Sequence, residues 1–89
     1  MRVVWDFKKA AANIRKHGVE FSHAATVLDD PQAVTIEDRR HEEQRYATVG
    51  ADILGRVVVV VYAYAERDEI RLISARRASP RERRMYEEK

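Results

Sequence analysis

The chain has 89 residues, with 17 Lys and Arg against 15 Asp and Glu and a net charge of +2. That length predicts a single domain over residues 1–89, whose functional site lies on the surface or in a shallow groove. The absence of cysteine excludes a disulfide framework, a thiolate metal site and a cysteine nucleophile, and three scattered histidines (His17, His23, His41) lack zinc-ligand spacing.

The first element predicted is a short strand at Val3-Val4-Trp5. Asp6 then caps a helix whose Phe7, Ala10, Ala11 and Ile14 fall at i, i+3, i+4 and i+7, the pattern of one apolar face. Gly18 ends it at the C′ position, with Lys16 and His17 in the last turn, where cations favour the dipole. A second helix is predicted from Phe21 to Leu28, burying Phe21, Ala24, Ala25 and Leu28, and ended by Asp29-Asp30-Pro31. Glu20 stands at its N-cap, where Ser, Thr, Asp or Asn is preferred, so its start is weak.

The period then changes. Val34 and Ile36 alternate with Thr35 and Glu37, and Arg45, Ala47 and Val49 alternate with Tyr46 and Thr48, which predicts two strands around a charged loop at 39–42. Val57 to Tyr64 is an unbroken β-branched and aromatic run, expected of a strand covered on both faces, and the longest apolar run, Val57 to Ala65, is too short to span a bilayer. Turns are expected at 52–55 and 66–68, and a last strand runs from Glu69 to Arg77. Ser79-Pro80-Arg81-Glu82 is a capping box with proline at N1, opening a terminal helix with Met85 and Tyr86. The order β-α-α-β-β-β-β-α predicts an α+β domain: an antiparallel β-sheet meander with two N-terminal helices and one C-terminal helix.

Charge is sorted along this order. Arg2, Lys8, Lys9, Arg15 and Lys16 crowd one end, and Arg71, Arg76, Arg77, Arg81, Arg83 and Arg84 the other, with most acids between them. Brought together, the two ends would form one cationic groove suited to a polyanion. Thirteen of the basic residues are arginines, whose planar forks match phosphate bidentately.

Taken together, Trp5-Asp6, Lys8, Asn13, Lys16-His17-Gly18-Val19, Phe21, Ala24, Asp30-Pro31, Arg45, Gly50, Val60, Tyr62, the run from Arg71 to Ala78, Glu82-Arg83 and Tyr86 span nearly every element. In these residues the chain resembles the BrnT family of toxins. The resemblance implies a RelE-like fold and a metal-independent endoribonuclease that blocks translation in the cytoplasm. It also implies a BrnA-like ribbon-helix-helix antitoxin, through which alone operator DNA would be bound, and no cofactor and no membrane partner.

Metal-independent RNA cleavage needs a base for the 2′-OH, an acid for the leaving 5′-oxygen and positive charge on the phosphorane. Arg76, Arg77 and His17 are the catalytic candidates. The two arginines end a strand on rigid backbone and, being adjacent, point to opposite sides of the sheet. The alternative for either is a structural ion pair with Glu82, Glu87 or a sheet carboxylate. His17 would act as the base, or serve only as a favourable charge at a helix end. Lys8, Lys16, Arg45, Arg71, Arg81 and Tyr86 are the RNA-binding candidates, with Arg45 and Arg71 expected side by side on the face that carries Arg77. His23 and His41 read as plain surface residues. Two other functions fit the same features: a non-catalytic RNA- or ribosome-binding module, and a partner-stabilised scaffold.

Overall fold

The computed structural model describes residues 1–40 and 42–88. His41, expected at the surface, lies outside the described residues. The elements are β1 (Arg2–Val4), α1 (Phe7–His17), α2 (Phe21–Ala24) continued by a 3₁₀ segment (Ala25–Asp29), β2 (Val34–Asp38), β3 (Arg45–Ala51), β4 (Val57–Ala65), β5 (Glu69–Arg77) and α3 (Pro80–Glu87).

Local chemistry accounts for most boundaries. The Asp6 carboxylate accepts from the backbone N–H of Lys8 at 2.7 Å, and Gly18 closes α1 with φ of 70°, its N–H donating to the Ile14 carbonyl. Ser79 and Glu82 form both halves of the capping box on α3. The second helix departs from expectation, because only four residues are α-helical before it tightens to 3₁₀. Glu20 makes no side-chain cap, and the Thr26 hydroxyl donates back to the His23 carbonyl at 2.6 Å.

The five strands form one sheet in the order β1-β5-β4-β3-β2. β2 to β5 make the expected antiparallel meander, but β1 joins β5 in parallel, so the sheet is mixed rather than a pure meander. β1 covers only Glu69 to Arg71 of that edge. Beyond it the edge is satisfied by a side chain. Asn13, 6 % exposed, donates to the Ala75 carbonyl at 2.8 Å, accepts from the Ala75 N–H at 3.1 Å, and also donates to the Val19 carbonyl. Its amide thus stands in for the next strand and ties the exit of α1 to β5.

That clasp decides which side of α1 is buried. Asn13, Ala10 and His17 turn inward, whereas Phe7 is 87 % exposed and Ile14 45 % exposed. The expected apolar face therefore points mostly to solvent. The core lies between the sheet and α2: Val58, Val60, Tyr62, Ile70, Leu72 and Ala75 pack on Val19, Phe21, Ala24 and Val27. Trp5 closes one end with its ring edge-on to Phe21. On the opposite face Val49, Val57 and Val59 pack beneath Ala78, in the link before α3, and Tyr86, in its last turn. β4 is covered on both sides, as its unbroken apolar run predicts.

Candidate active site

Pairing register assigns every sheet arginine to a side. Arg77 lies opposite Val58, on the side of α1 and α2, and Arg76 lies opposite Val59, on the side of α3. Strict alternation would put Arg71, six residues before Arg77, on Arg77's side. A β-bulge intervenes: Ser74 pairs with Val61 but Leu72 pairs with Tyr62, so one extra residue in β5 resets the parity. Arg71 then faces the same way as Arg76, opposite Ala63. Tyr46 pairs with Tyr62, which sets Arg45 level with Ala63 on that same side. Arg45 and Arg71 thus share a face as expected, but flank Ala63 of β4 instead of lying on adjacent strands, and the face is that of Arg76 rather than Arg77. Glu43 lies between them, its carboxylate 2.5 Å from Arg71 Nη2 and 3.7 Å from Arg45 Nε.

The two terminal arginines have different surroundings. Arg76 is locked: Nη1 and Nη2 each donate to Glu82 at 2.8 Å, a bidentate pair. Glu82 Oε1 also accepts from the Ser79 N–H at 2.8 Å, so the same carboxylate closes the capping box. The Arg76 fork holds the Glu82 carboxyl down at about 2, and Glu82 in turn raises the Arg76 guanidinium above its ordinary value. Arg77 is exposed and makes no ion pair among the described residues.

Tyr86 is an anchor. Its hydroxyl donates to Asp30 Oδ2 at 2.6 Å, and Asp30 raises its pKa. The same carboxylate oxygen accepts from the Ala51 N–H at 2.8 Å, so α3 is fastened to the chain before β2. Neither a free phenol nor a stacking face on RNA is what this arrangement offers first.

A groove of about 960 Å³ runs beside α3 on the Arg76 face. Its floor is Ala47, Val59 and Val61, and its rims carry Arg76, Arg81 and Arg84 on one side and Arg39 and Arg40 on the other. Arg40 is bound to Asp38 at 2.9 and 3.0 Å, and Arg39 to Glu37 at 3.1 Å. Arg81 and Arg84 are exposed and make no ion pair among the described residues, which leaves them available to an anion.

The remaining candidates fall on the other side. Lys8 and Lys16 are exposed on α1, and His17 is half-buried in its last turn, on the side of the sheet that Arg77 shares. The single groove expected from the two basic ends is therefore divided by the sheet: Arg45, Arg71, Arg76 and Arg81 gather on one side, and Arg77, Lys8, Lys16 and His17 on the other. Among the described residues, no group of three His, Asp or Glu side chains is placed to hold a metal ion. Sequence reasoning did not find the roles of Asn13, Glu43 or Asp30. Asn13 is polar at a position that should be helix face, and Asp30 precedes a proline, but neither signal names the partner 62 or 56 residues away.

A family model described as "Ribonuclease toxin, BrnT, of type II toxin-antitoxin system" matches residues 5–82. No curated protein matches the chain. Among solved structures, the chain is similar to the 1.1 Å crystal structure of the Brucella abortus ribonuclease toxin BrnT, with 26 % identity. The match covers 89 % of this chain and 97 % of that one, with a TM-score of 0.71.

Proposed function

Because the chain belongs to the BrnT family of ribonuclease toxins of type II toxin–antitoxin systems, we propose that it is a metal-independent endoribonuclease working at the end of β5. The observation that carries this reading is the split between Arg76 and Arg77. One guanidinium is consumed in bracing α3. Its neighbour is exposed on the same rigid strand end, free of any carboxylate among the described residues.

The roles divide accordingly. Arg77 neutralises the phosphorane oxygens that form when the 2′-OH attacks the adjacent phosphorus. His17, on Arg77's side of the sheet, takes the 2′-OH proton; the P–O5′ bond breaks as the 2′-O–P bond forms, leaving a 2′,3′-cyclic phosphate, and the departing 5′-oxygen takes its proton from solvent water. Lys8 and Lys16 on the same helix hold flanking backbone. Arg45, Arg71 and Arg81 hold RNA that passes around the strand end onto the α3 face. Arg76 is a positioning residue, acting through Glu82 and the start of α3. Tyr86 keeps α3 in place.

In this reading the domain is RelE-like, acts in the cytoplasm, and stops translation by cutting RNA. A BrnA-like ribbon-helix-helix antitoxin neutralises it and brings it to operator DNA.

The test is cleavage of RNA by the purified chain in EDTA. Arg77→Ala is expected to lower the rate by about 10²–10³-fold, the usual loss on removing one transition-state charge donor, with the melting temperature unchanged. Arg76→Ala is expected to lower both the rate and the melting temperature. Wild-type cleavage by Arg77→Ala would end the assignment. A second reading, an RNA- or ribosome-binding module without chemistry, is favoured by one observation: both described histidines lie off the face that gathers Arg45, Arg71, Arg76 and Arg81, His17 on α1 and His23 on α2. RNA shifted on a gel yet intact after long incubation would select it.

A further inference from the structure

We infer that Arg45 and Arg71 form a preset phosphate-binding site whose internal occupant is the Glu43 carboxylate, displaced when an oxyanion arrives. The register leaves only Ala63 between the two guanidiniums on the α3 side of the sheet. Glu43 addresses both but satisfies one. Its Oε2 is 2.5 Å from Arg71 Nη2, whereas Oε1 stands 3.7 Å from Arg45 Nε, too far for a hydrogen bond.

Arg45 Nε is buried and has no hydrogen-bond partner among the described residues. A buried guanidinium N–H left unpaired is costly, so an acceptor that reaches it gains a charge-assisted bond that Glu43 does not make. As placed here, the flat Glu43 carboxylate hydrogen-bonds the Arg71 fork and leaves Arg45 Nε unserved. A phosphate carries its oxygens out of one plane and can reach two forks that are not coplanar, with charge-assisted bonds to each. The side chains of Glu43 and Arg71 are 47 % and 38 % exposed. An ion pair that open contributes little stability, so the carboxylate yields readily.

A backbone phosphodiester and free inorganic phosphate share this chemistry. Only the RNA source rests on the proposed function; the oxyanion site does not. The experiment follows the Arg45 and Arg71 Nε–Hε NMR signals during titration with inorganic phosphate and, separately, with an uncleavable 2′-O-methyl oligoribonucleotide. Wild type is compared with Glu43→Gln and with Glu42→Gln, which removes the same charge one residue away. Inorganic phosphate is expected to move both signals, at a concentration about tenfold lower in Glu43→Gln and within about twofold of wild type in Glu42→Gln. Movement of the same signals by the oligonucleotide identifies backbone phosphate as the ligand. A response to inorganic phosphate alone keeps the oxyanion site and overturns its RNA source. Equal gains in the two variants, or signals that do not move, overturn the site. No cleavage is read, so a chain that binds without cutting keeps this site and loses only the ribonuclease assignment.

Discussion

Glu82 serves three donors with one carboxylate: both Arg76 terminal nitrogens and the Ser79 backbone. Its folded pKa of about 2 lies below the ordinary 4.5. A depressed acid adds stability that is complete above its unfolded value and is lost as pH falls toward the folded one. Wild-type melting temperature is therefore expected to fall between about pH 4.5 and pH 2, and Glu82→Gln to lose part of that acid limb while starting from a lower melting temperature at pH 7. An acid limb of unchanged steepness in the variant would show that the Arg76 pair contributes no net stability. The residue types were readable here, since Ser79-Pro80-Arg81-Glu82 announces its own cap. The Arg76 partnership was one of several open pairings, and only the packing of α3 against β5 chose it.

At the scale of elements, α1 shows how tertiary satisfaction overrides an apolar pattern. Phe7, Ala11 and Ile14 form a stripe at helical spacing, yet the β5 edge beyond β1 has unpaired backbone groups at Ala75 that only a polar side chain can serve. Leaving those groups buried and unpaired costs more than exposing a phenylalanine, an alanine and part of an isoleucine. Asn13→Ala is expected to cost about 3 kcal/mol, because it strands the N–H and C=O of Ala75 and the carbonyl of Val19. Phe7→Ser is expected to change stability by less than about 0.5 kcal/mol. Chemical denaturation of both variants checks the pair, and a costly Phe7→Ser beside a silent Asn13→Ala would reverse the assignment of the buried face. The β5 bulge is the second override. One extra residue between Ser74 and Leu72 changes which arginines meet, and the β5 sequence carries no glycine or proline to announce it.

Over the whole molecule, the sheet separates two cationic surfaces, and α3 is pinned across one of them at both ends: by Arg76 with Glu82 at its start, and by Tyr86 with Asp30 near its finish. Three of the proposed backbone contacts, Arg45, Arg71 and Arg81, lie on that surface. If each releases one counterion from single-stranded RNA, they add about −2 to the slope of log affinity against log salt. Arg71→Ala is expected to reduce the slope by about 0.7, measured with uncleavable RNA; an unchanged slope would remove Arg71 from the interface. Composition, caps and hydrophobic period by themselves determined the class of fold, nearly every element and the double-sided burial of β4, because these depend on interactions a few residues long; the family was carried instead by a resemblance spread from Trp5 to Tyr86. The side on which each charge falls, the parallel seating of β1 and the shared carboxylate of Glu43 were decided by tertiary structure alone. Each depends on groups dozens of residues apart whose pairing is set by backbone satisfaction at a sheet edge and by one shift in register.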